Sequence, residues 1–346
     1  MKRMRIFTMA VAILLICLVS TCGLAANVKV GFLIKTMQEE RYQTDRDIFI
    51  AKAKELGAEV IFDAANNNAD TQFARFENML TKGVDVIVIQ PVDPEAASNM
   101  VRIAHEEGIR VVAYDMAIFS SDLDVFVTPD GWQVGVLQGQ EMVKWFKQKR
   151  GEVKGNIVLL RGQPGCSNVP LFTQGVLDTV AANPGLKIVV DQYHENWSPD
   201  LAMATTENAL TKYGNKIDAV VSNNSGMASG AVRALEAQGL ADTNKVFVAG
   251  SDADLINMRY IVQGKQTMDV FKKIKPLAEK AAEVAVALAK NPNKGIEEIV
   301  EVDRYFDNGY KEVPVVVTPI IAVTKDNIMD TVVADGYHSA EEIYGQ

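Results

Sequence analysis

Residues 77–89 read ENMLTKGVDVIVI, and residues 207–221 read ENALTKYGNKIDAVV, 130 positions further along the chain. Each stretch is a helix-like segment followed by an apolar run, the order expected of a helix that leads into a buried strand. The likeness continues to a second apolar run that ends at Asp115 in one copy and at Asp252 in the other. A repeat of this kind predicts two similar lobes, each with an aspartate at the end of a strand. Chance similarity between two strand–helix units is the alternative, because only two copies exist.

Short apolar runs alternate with segments of helical period along nearly the whole chain. Many of the runs are continuous in Val, Ile, Leu and Ala, which is typical of parallel strands covered on both faces. We therefore predict an α/β fold with two Rossmann-like lobes, each a parallel sheet flanked by helices. The main predicted strands cover residues 28–34, 58–63, 84–90, 109–114, 156–160, 187–191, 217–222 and 245–249.

Three less regular strand-like segments predict where the chain crosses between the lobes. They cover residues 124–129, 267–271 and 313–318, and the first runs into a Pro-Asp-Gly turn signal. Three crossings would form a hinge that lets the lobes close over a ligand. The predicted N-terminal lobe comprises residues 27–128 and 273–318, and the predicted C-terminal lobe comprises residues 129–272 and 319–346.

The first 26 residues are predicted to be a signal peptide and not part of the fold. Three basic residues precede an apolar run over residues 6–19, and residues 23–25 fit a cleavage site. We therefore expect an exported chain in the periplasm or on another extracytoplasmic face. Lipidation of Cys22 is the alternative to simple cleavage.

Charge and cysteine content limit the possible partners. The formal net charge is −9, and removal of the basic leader makes the chain more acidic. Nucleic acids and anionic membranes favour clustered Lys and Arg, so we expect neither as a partner. Without the leader Cys166 is the single remaining cysteine, so no internal disulfide is possible.

Candidate binding residues follow the ends of the predicted strands, because ligands of open α/β sheets bind beyond the carboxyl ends of the strands. These positions are rich in carboxylates, amides and cations, and they include two flat rings. Sugars match this mixture, since their hydroxyls donate and accept hydrogen bonds while their C–H faces pack on rings. The positions are residues 35–42, Gln90, Asp115, Met116, residues 162–168, 196–197 and 223–225, Asp252 and Lys272.

Each candidate also has a structural interpretation. Asp115 and Asp252 could cap the helices that follow, because aspartate is a favoured N-cap. Trp197 could cover a helix start, and Asn224 could belong to an ordinary turn. His194 has no neighbouring His or Cys, so we predict no metal site.

Signals for an enzyme are weak. The chain has no Gly-x-Ser-x-Gly elbow, no Walker-type loop and no dinucleotide fingerprint after a predicted strand. The strongest enzymatic alternative is a glycosidase that uses Asp115 and Asp252 as its carboxylate pair. We predict a non-enzymatic protein that requires no cofactor.

Four stretches resemble the periplasmic sugar-binding proteins of ABC transporters, the type I ribose, galactose and xylose binders, and most of all the xylose-binding group. They are ERYQTDRDIF at residues 40–49, ENMLTKGVDV at 77–86, GSDADL at 250–255 and QTM at 266–268, and the likeness spans residues 28–338. The resemblance implies two lobes, a three-segment hinge and capture of a monosaccharide, either an aldopentose or an aldohexose, for a membrane permease. It also implies a monomer. The alternative function is a sensor that presents sugar to a chemoreceptor or a sensor kinase.

The family's sugar contacts can be carried over to positions that keep the matching residue type. These are Arg41, Asp115, Asn168, Trp197, Asn224, Asp252 and Lys272. Two positions depart from the pattern: Met116 replaces an arginine of the xylose binders, and Tyr42 replaces a tryptophan. Ser225, Cys166 and Ser167 differ as well. We expect the pocket to be retuned for the missing arginine by water, by Lys35 or by a different ligand.

Overall fold

The computed structural model describes residues 28–345, so the predicted signal peptide and Cys22 lie outside the described residues. The strands are β1 (Val28–Ile34), β2 (Ala58–Ala64), β3 (Val86–Ile89), β4 (Arg110–Tyr114), β5 (Val125–Pro129), β6 (Gly155–Arg161), β7 (Leu186–Tyr193), β8 (Ala219–Ser222), β9 (Phe247–Ser251), β10 (Met268–Phe271), β11 (Arg304–Asp307), β12 (Glu312–Thr318) and β13 (Ile321–Thr324). Every predicted strand is present, with ends that differ by up to two residues. The exposed β11 and the short β13 were not predicted.

The strands form two sheets. A seven-stranded sheet has the order β11-β12-β5-β4-β3-β1-β2, and a six-stranded sheet has the order β13-β10-β9-β8-β6-β7. Pairing is parallel except at β11–β12 and β10–β13, where an outer strand runs antiparallel. The predicted α/β fold with two lobes is therefore confirmed. We call the seven-stranded sheet with its helices the N-terminal lobe and the six-stranded sheet with its helices the C-terminal lobe.

Helices cover both faces of each sheet. They are α1 (Arg41–Glu55), α2 (Ala69–Thr81), α3 (Ala97–Glu106), α4 (Gly131–Arg150), α5 (Asn168–Ala181), α6 (Pro199–Lys212), α7 (Ser225–Ala237), α8 (Leu255–Val262), α9 (Ile274–Lys290) and α10 (Ala340–Tyr344). Short 3-10 turns occur at Glu195–Trp197 and Ile296–Glu298, and a π-helical turn at Met329–Val333. No helix within residues 28–345 has the length and apolar character needed to span a bilayer.

Helix α2 illustrates how the sequence determines these elements. The Asn68 side chain accepts a hydrogen bond from the main-chain N–H of Thr71 and caps the helix. Phe76 and Met79 lie on the buried face, and Gly83 follows the helix with φ of +68°, a conformation that glycine adopts without strain. The helix leads into β3, whose four residues are all buried.

The chain passes between the two sheets three times. It leaves the seven-stranded sheet after β5, leaves the six-stranded sheet after β10 to form α9 against β1, and returns to the six-stranded sheet after β12. The candidate site residues follow the carboxyl ends of β1, β3 and β4 in one lobe and of β6, β7, β8, β9 and β10 in the other. The space between the lobes is therefore lined from both sides.

Candidate functional site

All ten residues predicted to bind ligand lie together between the lobes. Each is at most 5% exposed, although eight of the ten carry a charged, amide or hydroxyl group. They are Lys35, Arg41, Tyr42, Asp115, Met116, Asn168, Trp197, Asn224, Asp252 and Lys272. Burying so many polar groups is costly unless they are paired, so their contacts indicate what the site can hold.

Arg41 is at the centre of the site. It begins α1, and its Nε and Nη2 donate to the carboxylate of Asp45 over 3.1 and 3.3 Å. Its Nη1 lies 3.6 Å from Asp115 and 3.5 Å from Asp252, so one guanidinium contacts carboxylates of both lobes. Burial opposes its charge, but Asp115 and Asp45 outweigh that effect and raise the pKa of Arg41 well above its ordinary value.

Asp45 and Gln90 orient these groups. Gln90 was among the candidate positions that follow predicted strands, whereas Asp45 was not predicted. Asp45 also accepts a hydrogen bond from the Tyr114 hydroxyl. Gln90 follows β3 and donates to the Tyr42 hydroxyl and to Asp115 Oδ2, each over 3.0 Å. An Arg–Asp pair spaced four residues apart on a helix was the available signal for Asp45. For Gln90 the signal was its place after a predicted strand.

Asp252 and Lys272 form the matching pair in the C-terminal lobe. Lys272 follows β10, and its Nζ lies 2.7 Å from Asp252 and 4.9 Å from the centre of the Phe172 ring. The main chain at Asp115 and Asp252 has φ of 63° and 134°, a region that residues other than glycine rarely adopt. Such backbone strain clusters at ligand sites, because the surrounding structure must hold it. Neither aspartate caps a helix, so that interpretation is wrong.

Trp197 lies flat against Gly162 in the C-terminal lobe. A Cβ at position 162 would lie 2.2 Å from the indole ring, so only glycine leaves room for it. Lys35 lies between this ring and that of Tyr42, with its Nζ 5.3 Å from the first centroid and 5.5 Å from the second. Glu39 pairs with Lys35 over 3.1 Å. The site therefore has an aromatic surface contributed by both lobes.

Asn168 and Asn224 hold the site together in different ways. Asn168 begins α5 and donates across the lobes to the main-chain oxygen of Asp115 over 3.1 Å. Asn224 caps α7, because its Oδ1 accepts from the main-chain N–H of Met227 over 2.9 Å. Asn224 therefore begins a helix and does not belong to an ordinary turn as the structural interpretation had it. Its oxygen serves the cap, and its amide nitrogen is the atom able to serve a ligand.

A further cross-lobe contact lies at Glu40. Its carboxylate accepts a hydrogen bond from the main-chain N–H of Leu255, the first residue of α8, over 3.2 Å. His338 Nε2 lies 4.0 Å from the same carboxylate. These residues come from different lobes, so the contact can form only when the lobes are together.

Polar atoms with unused hydrogen-bonding capacity converge on the site. Among the described residues, Asp115 Oδ1, Trp197 Nε1 and Asn223 Nδ2 are buried without a hydrogen bond to protein. An acceptor and two donors of this kind suit a ligand that can both donate and accept. Within residues 28–345, His, Cys, Asp and Glu form no cluster of three that could hold a metal ion.

A model of the periplasmic binding protein domain matches residues 30–293. The D-xylose-binding periplasmic protein of Haemophilus influenzae is 42% identical over 328 residues, which is 94% of this chain and 95% of that protein. The protein of the same name from Escherichia coli is 42% identical over 322 residues, or 92% and 93% of the two chains.

A solved structure supports the same assignment. It is an ABC transporter solute binding protein from Clostridium phytofermentans with bound β-D-glucose. It superposes with a TM-score of 0.80 at 26% identity, over 91% of this chain and 99% of that one. The resemblance first seen in four stretches of sequence therefore extends over nearly the whole fold. The chain belongs to the type I periplasmic binding protein family.

Proposed function

We propose that the protein captures a neutral monosaccharide, an aldopentose or aldohexose with D-xylose as the first candidate, and delivers it to the permease of an ABC importer. One observation carries the proposal. Asp115 Oδ1 and Trp197 Nε1 are a buried acceptor and a buried donor with no protein partner, in a site walled by aromatic rings. Sugar hydroxyls can satisfy both atoms while the ring of the sugar packs on the aromatic faces.

The charges of the site favour an uncharged ligand. Lys35 pairs with Glu39, Lys272 pairs with Asp252, and Arg41 contacts three carboxylates. Every buried cation therefore has an anionic neighbour within the protein. An acidic or amino sugar would add an unpaired charge to this arrangement, which is costly in a buried site.

The relatives support a sugar ligand and a binding role. Two of them are named for D-xylose binding, and the solved relative holds β-D-glucose. Their names describe binding proteins, which agrees with the prediction of a non-enzymatic protein. The solved relative is the solute-binding component of an ABC transporter, so delivery to an importer is favoured over the sensor alternative. We place the protein outside the cytoplasm, as in its periplasmic relatives, and expect it to work as a monomer.

We propose that the lobes open to admit the ligand and then close over it, because the site residues of both lobes are buried in the closed form. The proposed rigid units are residues 27–128 with 273–318 and residues 129–272 with 319–346, which move about the three crossings of the chain. Ligand would shift an open–closed equilibrium toward the closed form, since only that form offers contacts from both lobes.

Calorimetric titration of the mature protein tests the proposal. D-xylose, D-glucose, D-galactose, L-arabinose and D-ribose are the ligands, with D-glucuronate and D-glucosamine as charged controls. We expect at least one neutral sugar to bind with a Kd in the micromolar range, about −8 kcal/mol, and the charged controls to bind more weakly. Absence of both heat and a shift in Tm with all five neutral sugars would overturn the proposal.

A further inference from the structure

Two sulfur atoms, one from each lobe, are in contact beside the charged part of the site. Met116 follows Asp115 in the N-terminal lobe, and Cys166 precedes α5 in the C-terminal lobe. Cys166 Sγ lies 3.7 Å from Met116 Sδ. Both side chains are buried, with 4% and 8% exposure.

Met116 packs with the partner lobe. It belongs to the buried apolar cluster of the C-terminal lobe, which also contains Cys166, Phe172 and Trp197. All other buried members of that cluster lie between Val134 and Val270. The side chain of Met116 thus crosses the interface and joins the group of residues that includes the aromatic rings of the site.

This part of the site offers almost no hydrogen bonding. A thioether is a weak acceptor, and a thiol is a weak donor. Burial raises the pKa of Cys166, so the thiol stays neutral near pH 7. The groups beside the two sulfurs are polar or charged. Asp115 and Asn168 form hydrogen bonds, and Lys35 carries a charge. A hydroxyl held against the two sulfurs would lose its hydrogen bonds to water and gain little in return.

We propose that Met116 and Cys166 form an apolar wall of the sugar site that selects a deoxy sugar. The preferred ligand places a methylene or methyl group against this wall. Its parent sugar, which has the additional hydroxyl, would place a hydroxyl or hydroxymethyl group there. This inference rests on the proposed function, because it specifies the substrate class of the same site.

The test compares matched sugars that differ at one carbon. The pairs are 6-deoxy-D-glucose with D-glucose, D-fucose with D-galactose, L-fucose with L-galactose, L-rhamnose with L-mannose, and 2-deoxy-D-ribose with D-ribose. In at least one pair we expect the deoxy member to bind about tenfold or more tightly than its parent, the discrimination typical of an apolar pocket. If the parent binds as well or better in every pair, the wall does not select and the inference is overturned.

Two variants add hydrogen bonding to the wall at nearly constant size, Cys166→Ser and Met116→Gln. Each should lower the ratio of deoxy to parent affinity by about threefold or more, because the added group satisfies the parent's hydroxyl. Met116→Leu is the matched control, which should weaken both members of a pair by the same factor. Far-ultraviolet circular dichroism and Tm establish that each variant folds, and either polar variant alone suffices for the test.

The outcomes separate the possible failures. If Met116→Gln and Cys166→Ser change both members of each pair equally, the sulfurs are only a contact between lobes and the selective wall is wrong. If sugars bind without any deoxy preference, or if D-xylose binds and no deoxy sugar does, the proposed function survives and this inference does not. If no neutral monosaccharide binds at all, both fail together.

Discussion

The guanidinium of Arg41, in the N-terminal lobe, lies 3.5 Å from the carboxylate of Asp252, in the C-terminal lobe. Both side chains are buried, and the same guanidinium lies 3.6 Å from Asp115 of its own lobe. Removing one partner of a buried ion pair is strongly destabilising, because the other charge stays buried without compensation. Arg41 therefore links the arrangement of ligand-binding groups to the closing of the lobes.

Substitution of Asp252 by asparagine tests this link. Asp252→Asn leaves Lys272 without its anion and Arg41 without its cross-lobe contact. We expect sugar affinity to fall by roughly tenfold or more, about 1.4 kcal/mol, as measured by calorimetric titration. Asp326→Asn is the control, because Asp326 is an exposed carboxylate of the same lobe. Equal affinity of Asp252→Asn and wild type would contradict the assignment of the site.

The indole of Trp197 is predicted to act through both its N–H and its ring. Trp197→Phe removes the unpartnered Nε1–H but keeps an aromatic face, so affinity should fall by about threefold to tenfold. Trp197→Ala removes the ring as well and should cost roughly tenfold or more. Trp132→Phe is the matched control, since Trp132 is exposed and its Nε1 donates to Asp178. The ring has no role in the site if Trp197→Ala binds as tightly as Trp132→Phe.

Gly162 is predicted to be required because any side chain at this position would collide with Trp197. In Gly162→Ala the new Cβ would lie 2.2 Å from the Trp197 ring, so the indole must move. We expect weaker sugar binding together with a loss of about 1–3 kcal/mol in the free energy of unfolding, the usual cost of overpacking. Gly226→Ala is the control, because its Cβ would have no neighbour closer than 3.5 Å. Titration and urea unfolding measure the two effects, and an unaffected Gly162→Ala variant would refute the packing argument.

Glu40 is predicted to stabilise the closed form from the rim of the site. Glu40→Ala removes the acceptor for the Leu255 N–H across the lobes. We expect affinity for every bound sugar to fall by about twofold to tenfold, with the relative preference among sugars unchanged. Glu55→Ala, at the far end of the helix that Glu40 precedes, is the control, because Glu55 is exposed and pairs within one lobe. Small-angle scattering with sugar should also find a larger open fraction, and a changed sugar preference would argue against this role.

The stability of the protein should depend on the protonation of Asp269. Burial raises the pKa of this carboxyl from 3.8 to about 7, although Ala253, Ser225 and Gln266 donate hydrogen bonds to it. Between about pH 4 and pH 7 the folded protein binds more protons at this site than the unfolded chain. Its contribution is therefore complete below about pH 4 and is lost as the pH rises through about 7, at up to about 1.4 kcal/mol per pH unit.

Asp269→Asn isolates this contribution. Urea unfolding of the variant and of wild type at several values between pH 4 and pH 8 gives the difference in free energy at each pH. We expect wild type to lose stability relative to the variant as the pH rises across this window. A difference that stays constant with pH would mean that Asp269 is ionised in the folded protein throughout.

Much of the fold and most of the site were predictable from the sequence, for one physical reason. Continuous apolar runs such as Val86–Ile89 are typical of central parallel strands, so the sheets were predicted from them, and the repeat added the two lobes. Ligands of such sheets bind beyond the carboxyl ends of the strands, so Asp115 and Asp252, one in each lobe, were predicted to face the same cleft. The sequence pattern was sufficient to predict those strands that helices cover on both faces of the sheet.

The remainder depended on contacts that no local pattern records. The strand β11 was not predicted, because its exposed residues carry no apolar run. Asp45 lies four residues after Arg41 on the same helix, which is a local pattern, but its hydrogen bond from the Tyr114 hydroxyl joins a helix to a strand. The contact between Met116 and Cys166 joins two lobes, so neither residue alone predicts it. The contact of Met116 with Cys166 across the lobes could be identified only from the folded structure.

The position of β12 has a consequence for the order of folding. This strand pairs with β5 and carries β11 on its outer side, so residues 304–318 complete a sheet that began with residue 28. During synthesis, every strand of the other sheet except β13 emerges before them. The lobe that is started first is therefore finished after most of its partner has been made. Neither lobe can reach its final form until the chain is almost complete, so the N-terminal lobe cannot finish folding before most of the other lobe has been made.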